Sequence, residues 1–372
     1  MVYAGGHLPG SSRGTPAAAA SSLQRTTVRH GVEQSVDRRL NNPGVYAHDG
    51  VGDLVAATRN VPYLLYVPES AGRSVDVVDP VQHRVIGHYP TGLDPQHVVP
   101  SYDLKTLWST DDLANTVTPF DPRTGQPKGP PVAVNDPYNM YFLPGGKLAL
   151  VVQEQLQTLA FYDATTMNPV SQTKVDCAGV DHADFTADLK TLVASCEFSH
   201  KLLRLDVATQ TVTGYLTIPH SAPQDVRLTP DGRWFLVADK LLGGVSVIDA
   251  DAFQRVGFIK TGPDAHGIYP SRDGRLMYVS NRGNGTISVI DPVALRVVAT
   301  WHIPGGGSPD MGGVSPDGRS LWLSGRYDAT LYEISTVDGR LLSTIHVPLK
   351  PHGMCVWPQP GRFSLGHTGN MR

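Results

Sequence analysis

The sequence predicts an all-β protein, a seven-bladed propeller of four-stranded antiparallel blades. Three observations carry this expectation: a repeat with a period near 42 residues, four strand-like segments in each repeat, and two ends of the repeat region that each hold part of one further unit. The 38 Gly and 30 Pro in 372 residues, without a collagen period, fit many short strands joined by turns.

Aligning the short apolar segment before each turn places Val98, Met140, Ala183, Val226, Ile268, Gly313 and Met354 in equivalent positions, 41 to 45 residues apart. A turn follows each one, including Pro230-Asp231-Gly232-Arg233, Arg272-Asp273-Gly274-Arg275 and Pro316-Asp317-Gly318-Arg319. Asp-Gly makes such turns because Gly accepts positive φ and Asp bonds nearby backbone. A second strand then follows, as in Leu276–Ser280, and a third that alternates, as in Thr286–Asp291. β-branched alternation of this kind suits a strand buried between stacked sheets. A fourth strand, such as Val297–Ile303, ends the unit.

The ends settle the count. The first unit holds only its second to fourth strands, Tyr63–Val67, Ser74–Asp79 and Arg84–Tyr89, whereas Gly353–Trp357 is a surplus first strand. Joining them completes one blade from distant parts of the chain, closes the ring and removes an exposed edge. The expected organisation is a flexible arm over residues 1–45, rich in Ala, Ser, Gly and Arg, and one propeller over 46–372.

Tyr278-Val279-Ser280-Asn281 followed by Ile287-Ser288-Val289-Ile290-Asp291-Pro292 resembles the repeat signature of the YVTN or YncE-like propeller family, as do Val75–Pro80 and Val245–Asp249. The likeness runs from about residue 60 to 365, and Pro360–Asn370 is similar to the ending of an actinobacterial branch. The resemblance implies the fold. For function it leaves several classes open, because the family's relatives include lactonases, haem d1 and copper-site domains, quinone-enzyme chains and binding scaffolds.

A formal net charge of -3 with scattered basic residues gives no reason to expect a nucleic-acid partner. No apolar run is long enough to span a bilayer as a helix, and no signal-peptide pattern is present, so a cytoplasmic protein without a membrane partner is expected. Three cysteines, Cys177, Cys196 and Cys355, are too few for a disulfide framework and read as free thiols. Cys196 is then a packed hydrophobe, a soft ligand or a nucleophile.

In a propeller the innermost strand lines the axis, so residues at the start of each inner strand converge with the loops between second and third strands. Those starts read Gln96-His97, Tyr138-Asn139, Asp181-His182, Gln224-Asp225, Ala265-His266, Asp310-Met311 and Pro351-His352. Four blades offer histidine at what reads as one structural position. Imidazole nitrogens around one point suit a transition metal such as Cu, Fe or Zn, which makes His97, His182, His266 and His352 the candidate ligands. The alternative is four histidines that hydrogen-bond backbone or water in a polar pore.

Around them, Glu197, Asp225, Arg282 and Arg326 are the candidate catalytic residues. Tyr138, Asn139, Asp239, Asn281, Asp310 and Tyr327 are candidates for contacting substrate. Arg282 and Arg326 either clamp an anionic group or form salt bridges to Asp239 or Asp310. No Gly-x-Ser-x-Gly elbow, phosphate-binding loop or His-Glu-x-x-His occurs. The expected function is a metal-dependent enzyme acting on a small organic molecule at the channel mouth. A lactonase-like hydrolase and a non-catalytic scaffold are the alternatives.

Overall fold

The computed structural model describes residues 44–348 and 350–372. The expected arm, residues 1–45, lies outside the described residues apart from its last two. Among the described residues the strands form seven sheets, each a blade. Blade 1 joins Cys355–Trp357 to Leu64–Pro68, Ser74–Asp79 and Arg84–Pro90, with Tyr66 opposite Cys355 and Leu64 opposite Trp357. The ring therefore closes as the sequence predicts, with a shorter first strand. The inner strands of blades 2 to 7 are Pro95–Pro100, Asn139–Phe142, Val180–Phe185, Pro223–Leu228, Ala265–Pro270 and Pro309–Val314.

Burial follows strand position. Inner, second and third strands are almost wholly buried, whereas outer strands such as Arg296–His302 alternate exposed and half-buried residues. Among the described residues seven apolar clusters are present, each bridging two neighbouring blades: Leu202 of blade 4 and Phe235 of blade 5 share one, and Leu65 of blade 1 and Trp322 of blade 7 another. Burial stabilises at roughly 25 cal/mol per Å² of apolar area, so the stability of the ring lies between the blades. The turn between first and second strands is held by a repeated hydroxyl-to-carboxylate bond, as from Ser271 to Asp273 and from Ser315 to Asp317, both 2.6 Å.

Residues 358–372 do not extend the last strand. They fold back into the channel from the turn face and plug it. Phe142 N–H donates to Leu365 O at 2.9 Å and His367 N–H to Met140 O at 2.9 Å. Arg372 Nη2 bonds Asp184 Oδ1 at 2.7 Å. Beneath the plug, Val45 N–H bonds Pro230 O and the Tyr46 hydroxyl bonds Leu228 O at 2.7 Å.

Two further findings bear on the sequence reading. Cys177 and Cys196 form a disulfide, with Cα atoms 5.1 Å apart, so they are not free thiols and Cys196 is available neither as ligand nor as nucleophile. The hairpin register explains the pairing, since Val180 pairs with Cys196 and brings the segment just before it alongside. Cys355 is the free cysteine among the described residues, and it is buried. Among these residues no helix is long and apolar enough to cross a membrane.

Asp49 sits in this lower closure, buried, with Oδ1 unpartnered. Burial pushes its carboxyl up to about 6, against the opposing pull of Arg272 and Arg372. The folded state thus holds this proton more tightly than the unfolded chain does. Its stability is undiminished below about pH 4 and falls as pH rises to about 6, by about 3 kcal/mol. Asp49→Asn is expected to remove that loss. Urea unfolding should show the variant gaining on the wild type between pH 4 and pH 7, and an unchanged difference would contradict this account.

Candidate metal centre

The axis is furnished by a local irregularity that five blades share. Each inner strand opens with a register shift against its second strand, between Pro95 and His97, Val180 and Ala183, Pro223 and Val226, Ala265 and Ile268, and Pro309 and Gly312. A bulge frees a backbone N–H and turns two successive side chains toward the same side. In four blades a hydroxyl thirteen residues further on takes that N–H: Thr110 from His97 at 3.1 Å, Ser195 from His182 at 3.0 Å, Ser280 from Gly267 at 2.9 Å and Ser324 from Met311 at 3.2 Å. Three of these hydroxyls also reach the next blade, bonding Tyr138 O, Asp310 O and His352 O.

This geometry corrects the sequence alignment of the histidines, which occupy two structural positions and not one. By the hydroxyl that each bulge uses, His97 and His182 stand at the second bulge position, whereas His266 precedes Gly267 and aligns with Asp181. His352 likewise precedes Gly353, whose backbone bridges His97. Gly353 is needed there, because a Cβ would lie 2.2 Å from His97 Cδ2.

The rings nevertheless meet. Centroids of His97 and His182 are 5.4 Å apart, His182 and His266 5.5 Å, His266 and His352 5.6 Å, and His352 and His97 5.0 Å, a closed circuit around the axis. A fifth histidine, His367, rises from the plug to 4.9 Å from His182 and 5.5 Å from His97. His97, His182 and His367 bring ligand atoms within 4.8 Å of one another, close enough to hold a metal ion.

The nitrogens are already sorted. His97 Nδ1 donates to Tyr138 O at 2.9 Å, and His352 Nδ1 bonds Asp310 Oδ2 at 2.7 Å. His182 Nδ1 lies 2.6 Å from Asp181 Oδ1, and His266 Nδ1 3.0 Å from Asp310 Oδ1. Nε2 of His97, His182 and His352 is buried with no hydrogen-bond partner. In His367, Asn139 fixes the proton: Asn139 Oδ1 accepts Met140 N–H, so its Nδ2 donates to His367 Nδ1 at 3.0 Å. His367 Nε2 therefore carries the hydrogen, facing Asp225 Oδ1 at 3.4 Å, and the ring's lone pair is on Nδ1. His97 and His352 are oriented as metal-ligating histidines are, with one nitrogen anchored to a carbonyl or carboxylate and the other offered, whereas His182 and His266 have a carboxylate oxygen beside Nδ1 without a hydrogen bond to it.

Charge supports the same use. Burial holds His97, His266 and His352 well below the ordinary imidazole range, reinforced by the positive groups around them. His367 falls to about 4 by burial, partly opposed by Asp225. Burial lowers His182 too, but the adjacent Asp181 carboxylate outweighs it and the net shift is upward. Above the rings, burial pushes Glu154 up to about 9, aided by Asp181, Asp112 and Glu197. Glu197 also rises, by burial and Asp181, although Lys240 pulls it down from 3.4 Å. The four lowered imidazoles, with the Asp181 carboxylate against His182 and crowded carboxyls above, form a region that favours a cation.

The other predicted residues divide between mouth and framework. Tyr138 packs edge-on over His97, ring centroids 5.3 Å apart. Arg326 is partly exposed, 3.9 Å from Asp310 Oδ2, and Tyr327 is exposed beside Arg282. Arg282 is committed to salt bridges with Asp310 at 3.2 Å and Asp264 at 3.0 Å. Asp310 is the hub of this side, touching His266, His352 and Arg282 together; burial would raise its carboxyl, but His266, Arg282, Arg326 and His182 hold it down. Asp225 is bound to Arg227, His367 and Ile268 N–H, so it anchors the plug. Asp239 caps the backbone N–H groups of Ala222 and Leu242, and Asn281 bonds Thr286 and Ser288 inside blade 6, so both are framework.

A family model described as YNCE-like beta-propeller matches residues 44–360. The chain belongs to that family. No curated protein sequence matches this YNCE-like propeller. Similar solved structures include the periplasmic gluconolactonase PpgL of Pseudomonas aeruginosa, 18% identical with a TM-score of 0.66 over 81% of this chain and 98% of that one. A functionally unknown protein from Desulfotomaculum acetoxidans is 15% identical, with a TM-score of 0.66 over 79% and 98%. The dihydro-heme d1 dehydrogenase NirN, solved in complex with DHE, is 14% identical, with a TM-score of 0.61 over 83% and 80%. At these identities the likeness is one of fold.

His367 is the residue of this YNCE-like propeller that sequence reasoning missed. It lies beyond the last repeat, where periodicity carries no information, and only the closing Pro360–Asn370 pattern marked its segment. The crowding at Gly353 gives a direct test of how the rings are seated. Gly353→Ala is expected to push His97 off its position and cost about 1–3 kcal/mol by overpacking, read as a lowered denaturation midpoint. Gly313→Ala, whose Cβ would meet Val356 at an ordinary 3.4 Å, serves as the tolerated control. Equal midpoints for the two variants would contradict the proposed seating.

Proposed function

We propose that the protein binds a transition-metal ion, Cu, Fe or Zn, on the propeller axis and acts there on a small organic molecule admitted at the mouth. His97, His182 and His367 would be the primary ligands in this reading, with His367 Nδ1 exchanging the Asn139 N–H for the ion, and His352, the ring nearest His97, would supply a fourth nitrogen. His266 and Asp310 brace His352 from behind. The carrying observation is the set of buried Nε2 atoms of His97, His182 and His352 that have no partner among the protein's own groups. An unpaired buried polar group costs about 1–3 kcal/mol, and two of these residues, His97 and His182, belong with His367 to one set of ligand atoms within 4.8 Å of one another, so that point calls for an occupant.

Neutral nitrogens suit these metals, and a bound ion would supply Lewis-acid or redox chemistry. The chain's own groups would do the rest. Arg326, partly exposed at the mouth, is placed to meet an anionic group of the substrate. Tyr138 covers the His97 and His182 rings and limits water. Glu154, protonated at neutral pH with its carboxyl near 9, can give a proton.

That protonated carboxyl also favours a second reading, a lactonase-like hydrolysis in which Glu154 donates to the leaving oxygen. The gluconolactonase of like fold supports it as analogy. As to location, a disulfide fits an oxidising compartment better than the cytoplasm.

Elemental analysis of protein reconstituted with each divalent metal and then desalted tests the first reading. About one ion per chain should be retained by the wild type and lost from the His182→Ala, His367→Ala double variant. Retention by that variant, or refusal of every metal by the wild type, would remove the metal from the account. Turnover of gluconolactone by metal-stripped protein would move the assignment to the second reading.

A further inference from the structure

Blade 2 differs from the others at its outer edge, and the difference begins in the sequence. The stretch Gln126-Pro127-Lys128-Gly129-Pro130-Pro131 holds three prolines, which cannot donate to a strand ladder. The outer strand is accordingly reduced to two pieces of two residues, Gln126–Pro127 and Val132–Ala133, both paired to Thr116–Asp121. Every other blade has an outer strand of six or seven residues.

Where the missing strand would pass, a cleft of about 370 Å³ opens between blades 2 and 3. It lies among the turns between first and second strands, on the face opposite the histidines. That volume falls in the range of small-molecule sites, roughly 300–1,000 Å³. Trp108 and Tyr102 give it an aromatic lining over the wholly buried Phe142, and Tyr102 is held in place by stacking on Phe363 at 4.8 Å. Trp108 is 7% exposed, and its indole N–H has no acceptor in the protein. Lys105 and Lys128 also line the cleft, the latter bonded to Thr106 Oγ1 at 3.1 Å. Asp103, 3.8 Å from Lys105, offsets one of the two charges.

We propose that this cleft is a binding site for a small planar organic monoanion, an aromatic carboxylate in chemical class. The flat apolar body lies against Trp108 and Tyr102. Its carboxylate takes the charge of Lys128. Lys128, whose neighbouring carboxylate Asp121 is already paired with Arg123, selects one negative charge over two. The site is independent of the metal centre.

The test uses full-length protein and three probes of one shape: 1-naphthoate, neutral 1-naphthamide and cationic 1-naphthylmethylammonium. Calorimetry should show naphthoate bound at least tenfold more tightly than either other probe, with quenching of tryptophan fluorescence. Lys128→Gln should weaken naphthoate about tenfold and reduce its preference over the amide, with the circular dichroism spectrum unchanged. Trp108→Phe should weaken it while keeping the aromatic lining. Equal binding of all three probes, naphthoate affinity unmoved in Lys128→Gln and Trp108→Phe, or no naphthoate binding at millimolar concentration would each overturn the proposal. None of these outcomes bears on metal retention at His97 and His182.

Discussion

The arrangement on the axis depends on one small interaction repeated around the ring, a hydroxyl on the second strand that accepts the N–H freed by the bulge in the first. Without it the inner strands would open with an unpaired buried donor, which a folded protein rarely tolerates. With it, each bulge is fixed in the direction that sends two successive side chains toward the channel. Ser195 shows the economy of the device, since it takes the His182 N–H and returns its own proton to His182 O at 3.1 Å. Ser280 and Ser324 carry the link across to the next blade, so the position of one imidazole is coupled to the seating of its neighbour.

The plug completes what the blades begin. By closing the lower channel it dries the rings, and burial then holds four of the five histidines below the ordinary range. Its own anchoring lies at two depths, the ion pair of Arg372 with Asp184 and the neutral His367 ring turning Nε2 toward Asp225. Asp225 in turn is held ionised by Arg227 and His367, which outweigh its burial. A paired carboxylate of this kind is costly to strip of one partner. The plug is therefore a structural part of the site.

How much of this was legible beforehand follows from the range of each interaction. The blades are local, four strands and their turns within about 42 residues, and both the repeat and the composite closing blade could be read directly. That histidines crowd the axis was also readable, because each follows from its place in its own repeat. Their two-position arrangement was not, because a one-residue shift between Asp181-His182 and Ala265-His266 shows only in which N–H the hydroxyl takes. The Ser and Thr thirteen residues after each bulge were the available signal. Arg282 and Asp225 read as chemistry but serve as framework, since their partners Asp264 and His367 come from a loop and a segment outside the repeat. Cys177 and Cys196 escaped because counting cysteines ignores that one hairpin lays them side by side. The prolines of blade 2 were plain in the sequence, yet the space they leave depends on the neighbouring blade.

The central claim is that imidazole lone pairs are held in a dry channel for a single metal ion. X-ray absorption at the edge of the reconstituted metal measures this most directly. The account predicts a shell of three or four nitrogen scatterers at about 2.0–2.1 Å with the outer features of imidazole rings. A shell of oxygen alone, or of sulfur, would contradict it.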